Sequence, residues 1–376
     1  MRILPMPIIC IAKNHGVISM SNMLVNTPPE EQEVKYLLSL SLPTYRQAYS
    51  DRTCWLMACI SELAYVRFNP VFKDSTKQYF IDNISRLIDE NQTKSLQKLI
   101  EIVGYDPKIE ETKLKENIEF LNLELVQTFD NNGTQAILLK DDKYVYLGFR
   151  GTEATSIKDI KADAYAVTMT CETGGNIHSG FNRAFNEVYL EISQALGKDE
   201  HKNKPLFITG HSLGGALATI AAKKLTHPGG IAACYTFGSP RIGDVEWIGD
   251  IKSPIYRVVN AADPVTMLPP GTELIGVVSW ALGLIPHFGQ RIKNVLLSKF
   301  GGYYHGGDMR YLTNCNPGNY GDVKLLYAVS WWFRIKAYLI NKTSFLKMPA
   351  DHSITVYRKK LEVIANSRNT RQGQFN

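Results

Sequence analysis

The most constraining feature of this sequence lies between Pro205 and Ile220. An apolar strand pattern, Leu206 to Gly210, runs into Gly210-His211-Ser212-Leu213-Gly214, and an apolar helix pattern, Leu213 to Leu225, leaves it. A strand that turns directly into a helix crowds its own backbone, so the positions two before and two after the central residue must be small. Here they are Gly210 and Gly214. A serine hydroxyl is a weak nucleophile unless it projects from such a rigid, strained position beside a base. The N–H of Leu213 falls at the helix N-terminus, where the helix dipole favours negative charge developing on an oxygen. A glycine-rich turn alone is commonplace; the strand before it and the helix after it make this one specific.

The rest of the chain supplies a sheet to hold that elbow. Strand patterns at Glu119 to Thr128, Gln135 to Lys140 and Lys143 to Arg150 are separated by the turn signals Asp130-Asn131-Asn132-Gly133 and Asp141-Asp142. Further strands at Ala232 to Phe237 and Ile255 to Asn260 alternate with helical stretches, as in a mostly parallel sheet flanked by helices. The expected class is α/β, an α/β-hydrolase fold with an N-terminal helical extension. Upstream, Asp51 is positioned to cap a helix whose apolar stripe is Trp55, Leu56, Cys59, Ile60, Leu63 and Ala64. Helical spacing recurs at Ile81, Ile84 and Ile88, and at Leu96, Leu99, Ile100 and Val103. The expected division is an extension over 1–45, a hydrolase domain over 46–366 and a polar tail over 367–376.

In that fold the acid and the base follow the serine in chain order, the acid in a loop after a later strand. Asp263 lies just beyond the strand Ile255 to Asn260, in a loop stiffened by Pro264, Pro269 and Pro270. A turn-forming aspartate before proline is the competing explanation. Three histidines follow it: His287, His305 and His352. His287 sits among apolar residues that suit a core or a lid. His305 belongs with a strand and suits a position behind the site. His352, at the start of a C-terminal helix, is the favoured base, with Asp263 rather than its neighbour Asp351 orienting it.

Composition narrows the alternatives. Hydrophobic residues at 44% and charged residues at 21% are ordinary for a soluble globular domain. The six cysteines, Cys10, Cys54, Cys59, Cys171, Cys234 and Cys315, show neither metal-ligand rhythm nor a disulfide framework and read as buried or free thiols. Serine-based ester hydrolysis requires no metal and no organic cofactor, and none is expected. The apolar patch Ile3 to Ala12 is short and broken by Pro5 and Pro7, a poor secretory signal, and no apolar run is long enough to span a bilayer. The compartment stays open between an intracellular enzyme and one exported by a dedicated machine. Of the net +6, the segment from Arg334 onward carries +7, nine cations against Asp351 and Glu362. No nucleic-acid-binding module accompanies that charge, and no nucleic-acid partner is expected.

Strand Lys143 to Arg150 ends in Phe149-Arg150-Gly151-Thr152, and Thr152 is placed to offer a second oxyanion donor. This run, with His178-Ser179-Gly180-Phe181, Gly210 to Gly215, Thr236 to Asp244, Asn260 to Val265 and Asp351-His352-Ser353, resembles the class 3 (fungal-type) lipases in motif and in order. The resemblance covers about residues 119 to 365. It implies a triad of Ser212, Asp263 and His352, an oxyanion hole from Thr152 and Leu213, and an elbow of Gly210, His211 and Gly214. His305 then matches a strand motif near the site rather than the base. The segment Ser156 to Asp163 departs from the family in being polar and lacking a tryptophan, which weakens the case for a family-type lid there.

The implied activity is hydrolysis of lipid esters through an acyl-enzyme on Ser212, of the triacylglycerol lipase or phospholipase A1 type. A small-ester esterase and a catalytically silent hydrolase scaffold that binds rather than cleaves are the alternatives. The apolar stretch 271–302, interleaved with Arg291, Lys293 and Lys299, and the stretch 325–340, which ends among cations, are expected either to touch a lipid surface, the former as a lid, or to pack as core helices.

Overall fold

The computed structural model describes residues 22–40, 42, 47–67, 84–86, 88–90, 92, 106–151, 168–261, 263–269, 271, 302–330, 332–334 and 350–372. Thr152, His287, Cys10, the segment Ser156 to Asp163, most of the helical spacing between Ile81 and Val103, residues 272–301 and residues 335–340 lie outside them.

Ahead of the sheet lie the helices α1 (Pro28–Ser39), α2 (Asp51–Leu63) and α3 (Pro107–Phe120), with further helical residues at 84–86 and 88–89. The cap of α2 is Ser50 rather than the expected Asp51. The Ser50 side chain accepts the Thr53 N–H at 3.3 Å, and Asp51 becomes the first helical residue, its charge at the positive end of the dipole. Both α1 and α3 begin with a side-chain cap followed by proline, Thr27-Pro28 and Asp106-Pro107. α3 also takes in Glu119 and Phe120, expected to open a strand; the chain then turns through Asn122, at φ 57°.

The strands follow as β1 (Glu124–Asn131), β2 (Thr134–Lys140), β3 (Val145–Phe149), β4 (Thr168–Thr170), β5 (Asn176–His178), β6 (Leu206–His211), β7 (Ile231–Phe237), β8 (Ile255–Asn260), β9 (Asp308–Leu312) and β10 (Leu325–Tyr327). Among them run α4 (Ser179–Leu196), α5 (Leu213–Lys224) and α6 (Val245–Gly249), and α7 (Ile354–Gln372) closes the described chain. β1-β2-β3-β6-β7-β8-β9-β10 form one sheet, parallel from β3 through β9 and antiparallel at both edges.

Alternation along the strands separates two cores. Ile137, Leu139, Tyr146, Phe207, Tyr235 and Val258 face α2, α3 and α7, while Leu138, Leu147, Ile208 and Cys234 face α4 and α5. α2 is buried nearly all round, because β6 lies on one side of it and α7 on the other. Leu24, Val34 and Leu37 join the same core. Where α2 meets α7, Arg358 pairs with Glu62 at 2.5 Å, and its Nη1 donates to the Leu24 carbonyl at 2.7 Å. This clamp places the loop before α7 over the C-terminal ends of β6 and β8.

Candidate active site

Ser212 stands between β6 and α5 at φ 57°, ψ −127°, a conformation L-residues occupy only under constraint. Its N–H is tied to the Phe237 carbonyl at 2.9 Å. A Cβ on Gly210 would run into the Gly214 carbonyl, and one on Gly214 into the Phe149 carbonyl at the end of β3. The close approach that required two glycines is therefore backbone against backbone. Leu213, first residue of α5, carries one of the first-turn N–H groups that have no partner within a helix.

His352 lies in the turn before α7, buried, with Nε2 at 2.9 Å from Ser212 Oγ and Nδ1 at 2.9 Å from Asp263 Oδ2. A carboxylate only accepts, so Nδ1 bears the proton and Nε2 presents its lone pair to the serine hydroxyl. Asp263 is fully buried three residues past β8 and takes two further hydrogen bonds. The Tyr357 hydroxyl donates to Oδ2 at 2.6 Å, and the Val265 N–H donates to Oδ1 at 2.9 Å. Burial first, then the Asp263 charge, push the Tyr357 hydroxyl well above its ordinary pKa, so it stays a donor.

His211 completes the arrangement from beside Ser212. Its Nε2–H donates to the His352 carbonyl at 2.6 Å, so Nδ1 is left to accept from the Tyr65 hydroxyl at 2.8 Å. Burial, then the neighbouring His352, hold His211 far below the usual histidine pKa, in the neutral form that this pattern needs. His305 points elsewhere: its Nε2–H donates to the Thr266 carbonyl at 2.6 Å, on the loop that carries Asp263. No set of His, Cys, Asp or Glu among the described residues is grouped to hold a metal ion.

The end of β6, the loop after β8, the turn before α7, α7 itself and the residues just past α2 thus meet at the C-terminal edge of the parallel strands. Sequence reasoning overlooked Tyr65, Tyr357 and Gly238, whose backbone sits against both Asp263 and His352. Tyr357 lies five residues beyond His352 on a helix rich in charged side chains, and no motif marks it.

Topology and elbow together define an α/β-hydrolase. Residues 146–273 match the family model described as "Lipase (class 3)". It is 40% identical over 109 residues to the secreted mono- and diacylglycerol lipase 1 of Fusarium solani, covering 27% of this chain and 32% of that protein. With the lipase of Rhizomucor miehei it shares 32% identity over 166 residues, 40% of this chain and 45% of that one. With the lipase of Rhizopus niveus it shares 29% over 176 residues, 42% of this chain and 44% of that one. The alignments span a third to under half the length of these curated relatives.

Proposed function

We propose that the protein is a serine-dependent carboxylic ester hydrolase acting on lipid esters. The unbroken hydrogen-bond chain Ser212–His352–Asp263, with the serine on its strained elbow, is the observation that carries this reading. Ser212 Oγ attacks the ester carbonyl while His352 Nε2 takes its proton. The imidazolium so formed stays hydrogen-bonded through Nδ1–H to the Asp263 carboxylate. The Leu213 N–H, with Thr152 as second donor, receives the oxyanion. Collapse of the tetrahedral intermediate expels the alcohol, which takes the proton from His352, and leaves an acyl-enzyme. Water, deprotonated by the same imidazole, then releases the fatty acid and restores Ser212.

The names of the relatives support a lipid ester as substrate, of the triacylglycerol lipase or phospholipase A1 type. Trp332, 65% exposed, and Phe333, 47% exposed, stand at the head of the +7 segment and favour peripheral contact with an anionic lipid surface. Labelling by a fluorophosphonate probe tests the chemistry. Wild type is expected to label and Ser212→Ala not to; folded wild type that fails to label is a scaffold and not an enzyme. Release of fatty acid from phospholipid vesicles, compared with triacylglycerol emulsions, distinguishes the two substrate types.

A further inference from the structure

β8 carries a polar feature that the triad does not use. Tyr256 and Val258 enter the core on one face of the sheet, so Arg257 between them projects from the other. Arg257 is 7% exposed, and its Nε and Nη1 have no hydrogen-bond partner. Arg334 is 4% exposed; its Nη2 donates to the Thr266 hydroxyl, and its Nε is likewise unmatched. Neither guanidinium meets a carboxylate among the described residues.

Arg334 and His305 meet at Thr266, the former on its hydroxyl and the latter on its carbonyl. Burial, and then Arg334 and Arg241, pull the Arg257 guanidinium down to about 9. His305 is held neutral by burial and then by Arg257 and Arg241. Arg241 is anchored on the same loop, its Nη1 donating to the carbonyls of Met267 and Pro269.

A buried guanidinium without a counter-charge is costly, and two that repel each other cost more. Water can satisfy the open N–H donors but leaves the repulsion in place. A compact oxyanion removes both penalties, because it brings negative charge and several acceptors to one point. We propose that Arg257 and Arg334, flanked by His305, form a buried site for a small oxyanion, with phosphate matching the two positive charges best. Its occupancy bears on the triad through one short path. Arg334 holds the Thr266 hydroxyl, which in turn donates to the Asp263 carbonyl at 2.9 Å.

Binding is read without turnover, so the test stands apart from the hydrolase reading. The full chain is titrated with inorganic phosphate at constant ionic strength, following the thermal midpoint, with chloride as control. Saturable stabilisation is expected. Arg257→Gln and Arg334→Gln, each checked for native circular dichroism, should each weaken the phosphate midpoint by about tenfold or more. Glycerol phosphate binding more tightly than phosphate would mark a lipid headgroup as the natural source, and weaker binding a free ion. Absence of a saturable shift, or equal responses in wild type and both variants, overturns the site. Should one variant not fold, the other decides.

Discussion

His211 Nε2 donates to the backbone carbonyl of His352 at 2.6 Å, so the residue preceding Ser212 grips the residue whose imidazole faces the Ser212 hydroxyl. The Ser212–His352 distance is therefore fixed from both ends, by the elbow and by its neighbour. This bond also requires His211 to remain neutral and in one tautomer, with Tyr65 supplying the proton to its other nitrogen.

Tyr65→Phe removes that donor while leaving the ring. We expect a several-fold fall in kcat with KM little changed, because the base is less well oriented while the acyl pocket is untouched. Steady-state kinetics on a soluble ester check it, and an unchanged kcat would detach Tyr65 from the site.

Asp263→Asn should lower kcat by roughly 10³- to 10⁴-fold, since the amide cannot hold Nδ1–H and stabilise the imidazolium. Tyr357→Phe takes away only one of three donors to that carboxylate and should cost about tenfold or less, with about 1–2 kcal/mol of stability. The two variants are compared by kcat and by urea denaturation.

Gly238 sits at φ 59°, where a Cβ would lie 3.0 Å from the His352 ring and 2.7 Å from Asp263 Oδ2. Gly238→Ala should therefore lose activity as well as stability. Gly230, at φ 76° with open space around it, is the control: Gly230→Ala should cost on the order of 1 kcal/mol from backbone strain and leave kcat alone.

Stability should fall on acidification below about pH 6.5, the ordinary histidine pKa. His211 and His305 both titrate well below that value when folded, so the unfolded chain binds protons that the native chain refuses, and stability rises with pH through this window. Glu362 opposes them: burial raises it to about 7, so the native state holds a proton that the unfolded carboxyl releases. Glu362→Gln is therefore expected to steepen the acid loss between pH 5 and 6.5, measured by denaturant unfolding.

Arg358→Met leaves Glu62 charged and buried without its partner. A loss of about 3–5 kcal/mol is expected, seen as a lower urea midpoint. Activity per folded molecule at low temperature should persist, because the His211–His352 and Tyr357–Asp263 hydrogen bonds also hold the His352 loop and α7 in place.

The sequence by itself determined whatever rests on local sterics and short periods. Gly210 and Gly214 announce the elbow because backbone crowding allows no side chain there, and the period-2 strands around it announce the sheet. Order along the chain then pointed to Asp263 and left His287, His305 and His352, of which the start of the C-terminal helix favoured His352. Boundaries were less legible where capping competes within one or two residues, as with Ser50 ahead of Asp51, or where Pro-initiated helices such as α1 and α3 have weak apolar stripes.

Only the tertiary structure decided what joins distant segments. Tyr65 reaches His211 across 146 positions and Tyr357 reaches Asp263 across 94, and no local pattern encodes either meeting. The same holds for Arg257 and Arg334, ordinary cations in the sequence that are both buried once the chain packs. Local geometry is written in neighbouring residues, whereas the environment that sets a proton's position or a charge's cost exists only after the chain has packed.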